Sequence, residues 1–181
     1  MSSELEDPRL KWLFGRRSIR KYRPGEVSDA QVETLLKAAM AAPSAVARDP
    51  WRFIVVRDPD TLAELAGHLS NGDMVREAGL AIVVAGDLEA AHDQQLSYLL
   101  QDCSAAIENL LLAAHALGLG ACWLGVHPRE ARITALSKMF ALPGHVLPVS
   151  VVAVGHPVRP KEPRTRYNPE YVHRERWGRT G

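Results

Sequence analysis

The order of apolar and polar residues along the chain predicts four strands. Three runs have the length of a strand and are apolar throughout or nearly so: residues 51–56, 80–86 and 149–155. Because residues 80–86 contain no polar side chain, we expect that strand to be covered on both faces. A fourth strand is predicted over residues 121–126.

Apolar residues at helical spacing predict the segments between the strands. Residues 28–42 begin with an S-x-x-Q capping box formed by Ser28 and Gln31. Other helices are predicted over residues 10–14, 61–69, 89–117 and 128–140, the last with proline at its first position. From Ala105 onward the longest helix is apolar almost all round, so we expect it to be buried on every side and to contact a partner subunit.

Strands and helices that alternate in this way predict a layered α/β or α+β fold with helices on both faces of the sheet. A chain of 181 residues suits one domain, and no linker divides it. The tail, residues 156–181, is polar and contains Tyr167, Tyr171 and Trp177. We expect the tail to pack along a surface already formed, that of a second subunit being one candidate.

Composition excludes several classes of function. A formal net charge of +1 argues against a dedicated nucleic-acid binder. The sequence has neither a signal-peptide pattern nor an apolar run of the ~20 residues that a membrane span needs, so we expect no membrane partner. Cys103 and Cys122 are too few for a disulfide framework, which predicts buried free thiols and a cytoplasmic protein. No histidine spacing suggests a metal site.

Positive charge is concentrated in the basic segment, residues 16–22, whose sequence is RRSIRKY. In an extended segment, Arg16, Ser18 and Arg20 would share one face with Tyr22, and Arg17 would lie on the other. Two guanidinium groups and a hydroxyl in line suit a phosphate. A solvated basic edge and a nucleic-acid patch remain open alternatives from these residues alone.

A second arginine pair, Arg164 and Arg166, lies in the tail. The two arginine groups could converge on one phosphate, although a solvated tail is the alternative. The segment GLGACWLG, residues 118–125, has Trp123 where a dinucleotide fingerprint needs its third glycine, and it follows a helix and not a strand. Ser44 is not in a G-x-S-x-G elbow, so a hydrolase triad has no nucleophile there.

Four motifs in order resemble the FMN-dependent nitroreductase family: RRSIRKY, AAPSAVARDPWRFIVV, LLLAAHALGLGACWLGV and VVAVGHPVRPKEPRTRY. The resemblance extends over residues 10–177, and the chain is identified as a short member of that family. It implies an α+β fold, an obligate homodimer and FMN bound at the subunit interface. The chain would then be one FMN-binding domain, residues 1–181.

The resemblance also implies roles for individual residues. Arg16, Arg17 and Ser18 resemble the family residues that contact the phosphate and ribityl groups of FMN. Arg20 resembles the cation that lies near the flavin N1 and C2 carbonyl. Residues of three further groups complete the implied site: Pro43, Ser44 and Ala45 in a loop from the other subunit, Leu124 and Gly125 with backbone close to the isoalloxazine ring, and Arg164 and Arg166 closing on the phosphate.

The implied chemistry is reduction by NAD(P)H through a double-displacement mechanism, with nitroaromatic, quinone or similar acceptors. Flavin N5 takes the hydride, and Arg20 stabilises the negative charge that develops near N1. No acid–base side chain is required for this reaction. Dehalogenation, flavin fragmentation, dehydrogenation of a specific metabolite, and a non-enzymatic flavin-binding dimer are the alternatives.

The chain departs from the family in one loop. The family pattern P-S-A-x-N-x-Q-P-W has Ala47 at its Asn position and Asp49 at its Gln position. Two amide donors are lost and a negative charge is added. We expect the loop geometry or the affinity for FMN to differ as a result.

Overall fold

The computed structural model describes residue 7 and residues 10–179. Its helices are α1 (Lys11–Gly15), α2 (Asp29–Met40), α3 (Pro59–Gly67), α4 (Asp73–Arg76), α5 (Leu96–Ala116) and α6 (Glu130–Met139). Its strands are β1 (Tyr22–Arg23), β2 (Trp51–Val56), β3 (Leu80–Asp87), β4 (Gly120–Gly125) and β5 (Val146–Pro157).

The strands form one sheet around β5. β3 pairs with one edge of β5, and β4 pairs with the opposite edge. The register shows this, because Leu80 of β3 and Ala121 of β4 both lie opposite Val154 of β5. β2 extends the sheet beyond β3, and β1 pairs with the end of β5 through Tyr22 and Pro157. All four of these pairings are antiparallel. Together they give the order β4-β5-β3-β2 for the main strands.

Alternate residues of the central strands face two separate cores. Leu80, Ile82 and Val84 of β3 pack with α2 and α5 on one face of the sheet. Ala81 and Val83 pack with α3, α4 and α6 on the other. The predicted α+β fold with helices on both faces is therefore confirmed, as is the expectation that the strand over residues 80–86 is covered on both sides.

Three predicted helix starts are wrong. α3 begins at Pro59 and not at residue 61, because the Asp58 side chain accepts a hydrogen bond from the Thr61 N–H and caps the helix there. α5 begins at Leu96 and not at residue 89, because Asp87 Oδ1 accepts hydrogen bonds from the backbone N–H groups of Glu89 and Ala90 and holds them in a turn. α6 begins at Glu130, two residues after Pro128. The preceding N–H groups of Val126 and His127 both donate to the Val149 carbonyl, which ties that segment to β5.

The long helix α5 is not buried on every side within one chain. Its inner face packs on the sheet, whereas Leu112 is half-buried. Leu112 helps to line an open groove of about 470 Å³, the apolar groove, formed by Trp12, Ala38, Ala41, Asn109, Leu112, Ala113 and Ala116. The contact with a partner subunit stays a prediction. Within residues 10–179, none of the helices combines the length and the apolar character needed to cross a membrane.

Candidate ligand-binding site

The basic segment is held against β4 by backbone contacts. After α1 ends at Gly15, the backbone turns extended at Arg16 and forms a parallel bridge between Ser18 and Ala121. The N–H of Ile19 donates to the Ala121 carbonyl at 3.0 Å, and the Ile19 side chain is buried. The polar side chains on either side of Ile19 are therefore carried on a fixed backbone.

The tail lies alongside the basic segment, although the two are far apart in sequence. Lys161 Nζ donates to the Ser18 carbonyl at 2.9 Å, and Arg17 Nη1 donates to the Glu162 carbonyl at 2.5 Å across 145 residues. A backbone bond from Arg164 to the Phe14 carbonyl, 3.3 Å long, continues the contact. The cations of each segment thus hold the backbone of the other.

The two segments enclose the basic cavity, which has a volume of about 420 Å³ and is lined by Arg16, Arg17, Ser18, Arg20, Lys161, Arg164 and Arg166. No carboxylate is among the lining residues. Arg16 also pairs with Glu108 of α5, with 3.1 Å between Nε and Oε1. Guanidinium groups present forked donors that match phosphate oxygens, so this donor set fits a phosphate or another polyanion.

The predicted division of the basic segment into two faces is wrong for Arg17 and Tyr22. Arg17 lines the same cavity as Arg16, and Tyr22 is buried with its hydroxyl donating to the Ile19 carbonyl at 2.8 Å. The two-residue alternation fails because only Tyr22 and Arg23 belong to a strand, and Ile19 and Tyr22 are buried three residues apart. Burial also raises the pKa of the Tyr22 phenol.

A second hollow, the β4 cavity, adjoins the first. It has a volume of about 180 Å³ and is lined by Arg20, Leu69, Ser70, Asn71, Met74, Cys122, Trp123, Leu124, Gly125 and Arg132. Arg20 lines both cavities, so its side chain lies where the two meet. The structure therefore brings Arg20 together with Leu124 and Gly125, as well as with the four other cationic site residues of the sequence prediction.

Sequence reasoning missed Lys161, Asn71 and Arg132. Arg132 of α6 donates from Nη1 to the Gly125 carbonyl at 2.6 Å and from Nη2 to Ser70 Oγ at 2.5 Å, which joins the end of β4 to the turn after α3. Asn71 has a φ of 94°. The Asn71-Gly72 pair is a turn signature that could have drawn attention to this loop, whereas no local pattern identifies Arg132.

The loop of residues 43–49 does not reach the basic cavity of its own chain. Its backbone is fixed by a 2.9 Å bond from the Ala45 N–H to Asp102 Oδ1 in α5. Ser44 Oγ donates to Asp49 Oδ1 at 2.5 Å and accepts from the Asp49 N–H at 3.0 Å. Positive φ angles at Val46, Ala47 and Asp49 (46°, 55° and 50°) give the loop a compact form. Pro43, Ser44 and Ala45 are thus separate from the arginine cluster within one chain.

The two cysteines are buried and free, as predicted. Burial raises the pKa of Cys103 to about 12 and also raises that of Cys122, which lines the β4 cavity. Both thiols are therefore protonated at neutral pH. Across residues 10–179, no three His, Cys, Asp or Glu side chains come together in a way that could hold a metal ion.

The sequence of this chain matches a known protein family and proteins that have already been named. The sequence profile of the nitroreductase family matches residues 13–72 and 67–156. A provisionally named NADH dehydrogenase/NAD(P)H nitroreductase from Archaeoglobus fulgidus is 45% identical over 171 residues, which cover 93% of this chain and 98% of the relative.

Solved structures agree with the sequence comparison. A crystal structure with the same provisional name from Parabacteroides distasonis has a TM-score of 0.88 at 39% identity, over 95% of this chain and 100% of that one. A provisionally named nitroreductase from Desulfovibrio desulfuricans in complex with FMN has a TM-score of 0.81 at 36% identity, over 95% and 99% of the two chains.

Proposed function

The chain belongs to the nitroreductase family, and we therefore propose that it is an FMN-dependent oxidoreductase that uses NAD(P)H to reduce nitroaromatic, quinone or similar acceptors. The observation that carries the proposal is the basic cavity, in which cations from both ends of the chain surround one space of about 420 Å³. This donor set suits the phosphate of FMN.

The phosphate would be held by Arg17, Ser18, Arg164 and Arg166, with Arg16 beside them. A phosphate monoester carries about two negative charges near neutral pH, and its oxygens accept several charge-assisted hydrogen bonds. The lining residues include no carboxylate, so no negative charge among them competes for these donors, although Arg17 Nη1 is already bonded to the Glu162 carbonyl. Lys161 is already bonded to the Ser18 carbonyl and would contribute mainly by its charge.

When bound, FMN supplies a ring that accepts a hydride from NAD(P)H and passes the electrons to an acceptor. Arg20 lies where the basic cavity and the β4 cavity meet, and would stabilise negative charge on that ring. The backbone of Leu124 and Gly125 would line the ring. Arg132 holds the Gly125 carbonyl at 2.6 Å and so fixes the orientation of that backbone before a ligand arrives.

The functional unit would be a homodimer of single-domain subunits, each spanning residues 1–181. The apolar groove along α5 and the exposed aromatic residues of the tail, Tyr167, Tyr171 and Trp177, support this proposal. Exposed apolar surface of this extent is typical of a protein interface. A second subunit would also bring its Pro43, Ser44 and Ala45 to a site that this loop does not reach within one chain.

The experiment that tests the function begins with the absorbance spectrum of the purified protein before and after incubation with FMN. We expect a yellow protein with one FMN per subunit. Anaerobic mixing with NADH and with NADPH should bleach the flavin rapidly, and a nitroaromatic compound or a quinone should restore the colour.

Protein that stays colourless after incubation with FMN would overturn the proposal. Protein that binds FMN but is bleached by neither nucleotide would instead favour other flavin chemistry or a binding role. The altered loop does not by itself favour the binding role, because Asp49 is engaged with Ser44 and keeps the loop in a defined form.

A further inference from the structure

A third hollow, the outer cavity, adjoins the basic cavity. It has a volume of about 470 Å³ and is lined by Ile19, Arg20, Lys21, Val158, Arg159 and Lys161. Arg20 and Lys161 are shared with the basic cavity, whereas Lys21 and Arg159 are not. The outer cavity therefore adjoins the proposed flavin site and adds two cations of its own.

The cations of the outer cavity have no ion-pair partner within the described part of the chain, residue 7 and residues 10–179. Among the residues that the structure describes, no carboxylate lies within 4 Å of Lys21 or Arg159. Both side chains are exposed. With the whole chain at a formal net charge of +1, this is a local excess of positive charge that the phosphate of one FMN leaves unmatched.

The lining also has an apolar part. Val158 is 56% exposed, and the largely buried Ile19 also lines the cavity. The N–H of Val158 donates to the Lys21 carbonyl at 3.2 Å, so the two walls are joined by their backbones. Aliphatic side chains beside cations fit a ligand that combines a flat apolar ring with phosphate groups, as an adenosine phosphate does.

We propose that the outer cavity binds the phosphate-bearing adenosine half of the reductant, and that Lys21 and Arg159 make the enzyme prefer NADPH to NADH. This inference rests on the proposed function, because it names which nicotinamide nucleotide the same site uses. The additional 2′-phosphate of NADPH carries about two negative charges, and its contact with two cations would favour NADPH selectively.

The test uses the FMN-loaded double variant Lys21→Gln/Arg159→Gln, which removes both charges and keeps the first two methylene groups of each side chain. We expect its KM for NADPH to rise about tenfold, as the loss of charge-assisted contacts at an exposed site predicts. Its KM for NADH should change less than twofold, and its FMN content should match the wild type. The variant Lys37→Gln/Arg76→Gln removes two exposed helix cations that line none of the three cavities, and it should leave both KM values unchanged.

Inhibition separates the 2′-phosphate from other phosphates. We expect 2′,5′-ADP to inhibit competitively against NADPH about tenfold more strongly than 5′-AMP in the wild type, and this difference should vanish in the cavity variant. A KM ratio of NADPH to NADH that stays within twofold of the wild type would overturn the inference. An increase confined to the KM of a phosphate-bearing acceptor such as free FMN would overturn it as well. Failure to bind FMN would instead count against the proposed function.

Discussion

Arg16 and Arg20 line the same basic cavity but differ in what surrounds them. Arg16 is engaged with Glu108, whereas no carboxylate among the described residues lies within 4 Å of Arg20. Arg20 also reaches the β4 cavity, which Arg16 does not. We infer that Arg16 acts on the phosphate end of the ligand and Arg20 on the ring.

Arg20→Ala should slow flavin reduction by NAD(P)H about tenfold, because it removes a fixed positive charge from the place where negative charge develops. The reduction potential of the bound flavin should fall, while FMN retention changes less. Stopped-flow reduction and a fluorescence titration with FMN measure the two effects. Arg23→Ala, which removes a β1 cation outside the three cavities, is the control. A variant with only a weaker affinity for FMN would contradict this assignment.

Glu108→Gln should tighten FMN binding about two- to threefold. The carboxylate lies 3.1 Å from Arg16 Nε and offsets its charge, and a partly exposed ion pair of this kind contributes at most about 1 kcal/mol. Removing the negative charge frees the guanidinium for the phosphate. The FMN dissociation constant at low ionic strength measures the effect, which should shrink as salt is added. Unchanged or weaker binding would contradict the prediction, and weaker binding would show that Glu108 orients Arg16 productively.

Tyr22 should make the apoprotein less stable at alkaline pH. A tyrosine phenol ordinarily has a pKa of about 10, and burial raises the pKa of Tyr22 in the folded state. Both states are therefore protonated below about pH 10, and this part of the stability is then fully present. Above about pH 10 the unfolded state loses its proton first, and the free energy of unfolding falls as pH rises.

Urea unfolding at about pH 8 and about pH 10.5 tests this expectation. Tyr22→Phe should reduce the alkaline loss of stability, and it should cost about 1 kcal/mol at the lower pH because the Ile19 carbonyl loses its 2.8 Å donor. Tyr98→Phe, at a side chain that is 38% exposed and lies outside the tail, is the control. Equal pH dependence in Tyr22→Phe and the wild type would contradict the prediction.

At the scale of elements, the position of the basic segment depends on how closely it approaches β4. A Cβ atom at Gly120 would lie 2.7 Å from Cγ2 of Ile19, so only glycine allows the present contact. The hydrogen bond from Ile19 to Ala121 lies directly beside it. Gly120 therefore sets where the arginines of the basic segment are held.

Gly120→Ala should displace the basic segment from β4. We expect the free energy of unfolding to fall by about 1–3 kcal/mol, as for other overpacked sites, and FMN to be retained less well. Chemical denaturation and FMN titration measure the two losses. Gly67→Ala in α3 is the control, because its Cβ would meet nothing within 4 Å. A Gly120→Ala protein with normal affinity for FMN would show that the segment can shift without consequence.

At the scale of the whole molecule, the apolar groove gives a test of the dimer. Leu112→Glu places a charge in the groove, where burial against a second subunit would be costly. We expect a monomer that has lost most of its FMN, measured by sedimentation and by absorbance. Lys138→Glu on α6, outside the groove, should remain dimeric and yellow. A Leu112→Glu protein that is dimeric with full FMN, or a monomeric wild type that holds FMN, would contradict the proposed assembly.

Local patterns predicted the parts of the fold that local interactions determine. The bounds of β2 are as predicted, and the capping box of Ser28 and Gln31 is present at the start of α2. The start of α5 could not be read from periodicity, because bonds to the side chain of Asp87 override it. Arg132 and Lys161 enter the candidate site through contacts with residues distant in sequence, which no local pattern records.

The bond between Arg17 and Glu162 has a consequence for the synthesis of the protein. These residues are 145 positions apart, so at about 5–20 residues per second a ribosome needs on the order of 10–30 s between them. During that time the emerging chain displays only the N-terminal half of the basic cavity. The proposed capture of FMN would therefore be a late event of biogenesis. A chain that ends before Arg164 contains β1 to β5 but lacks two arginines of the basic cavity, Arg164 and Arg166.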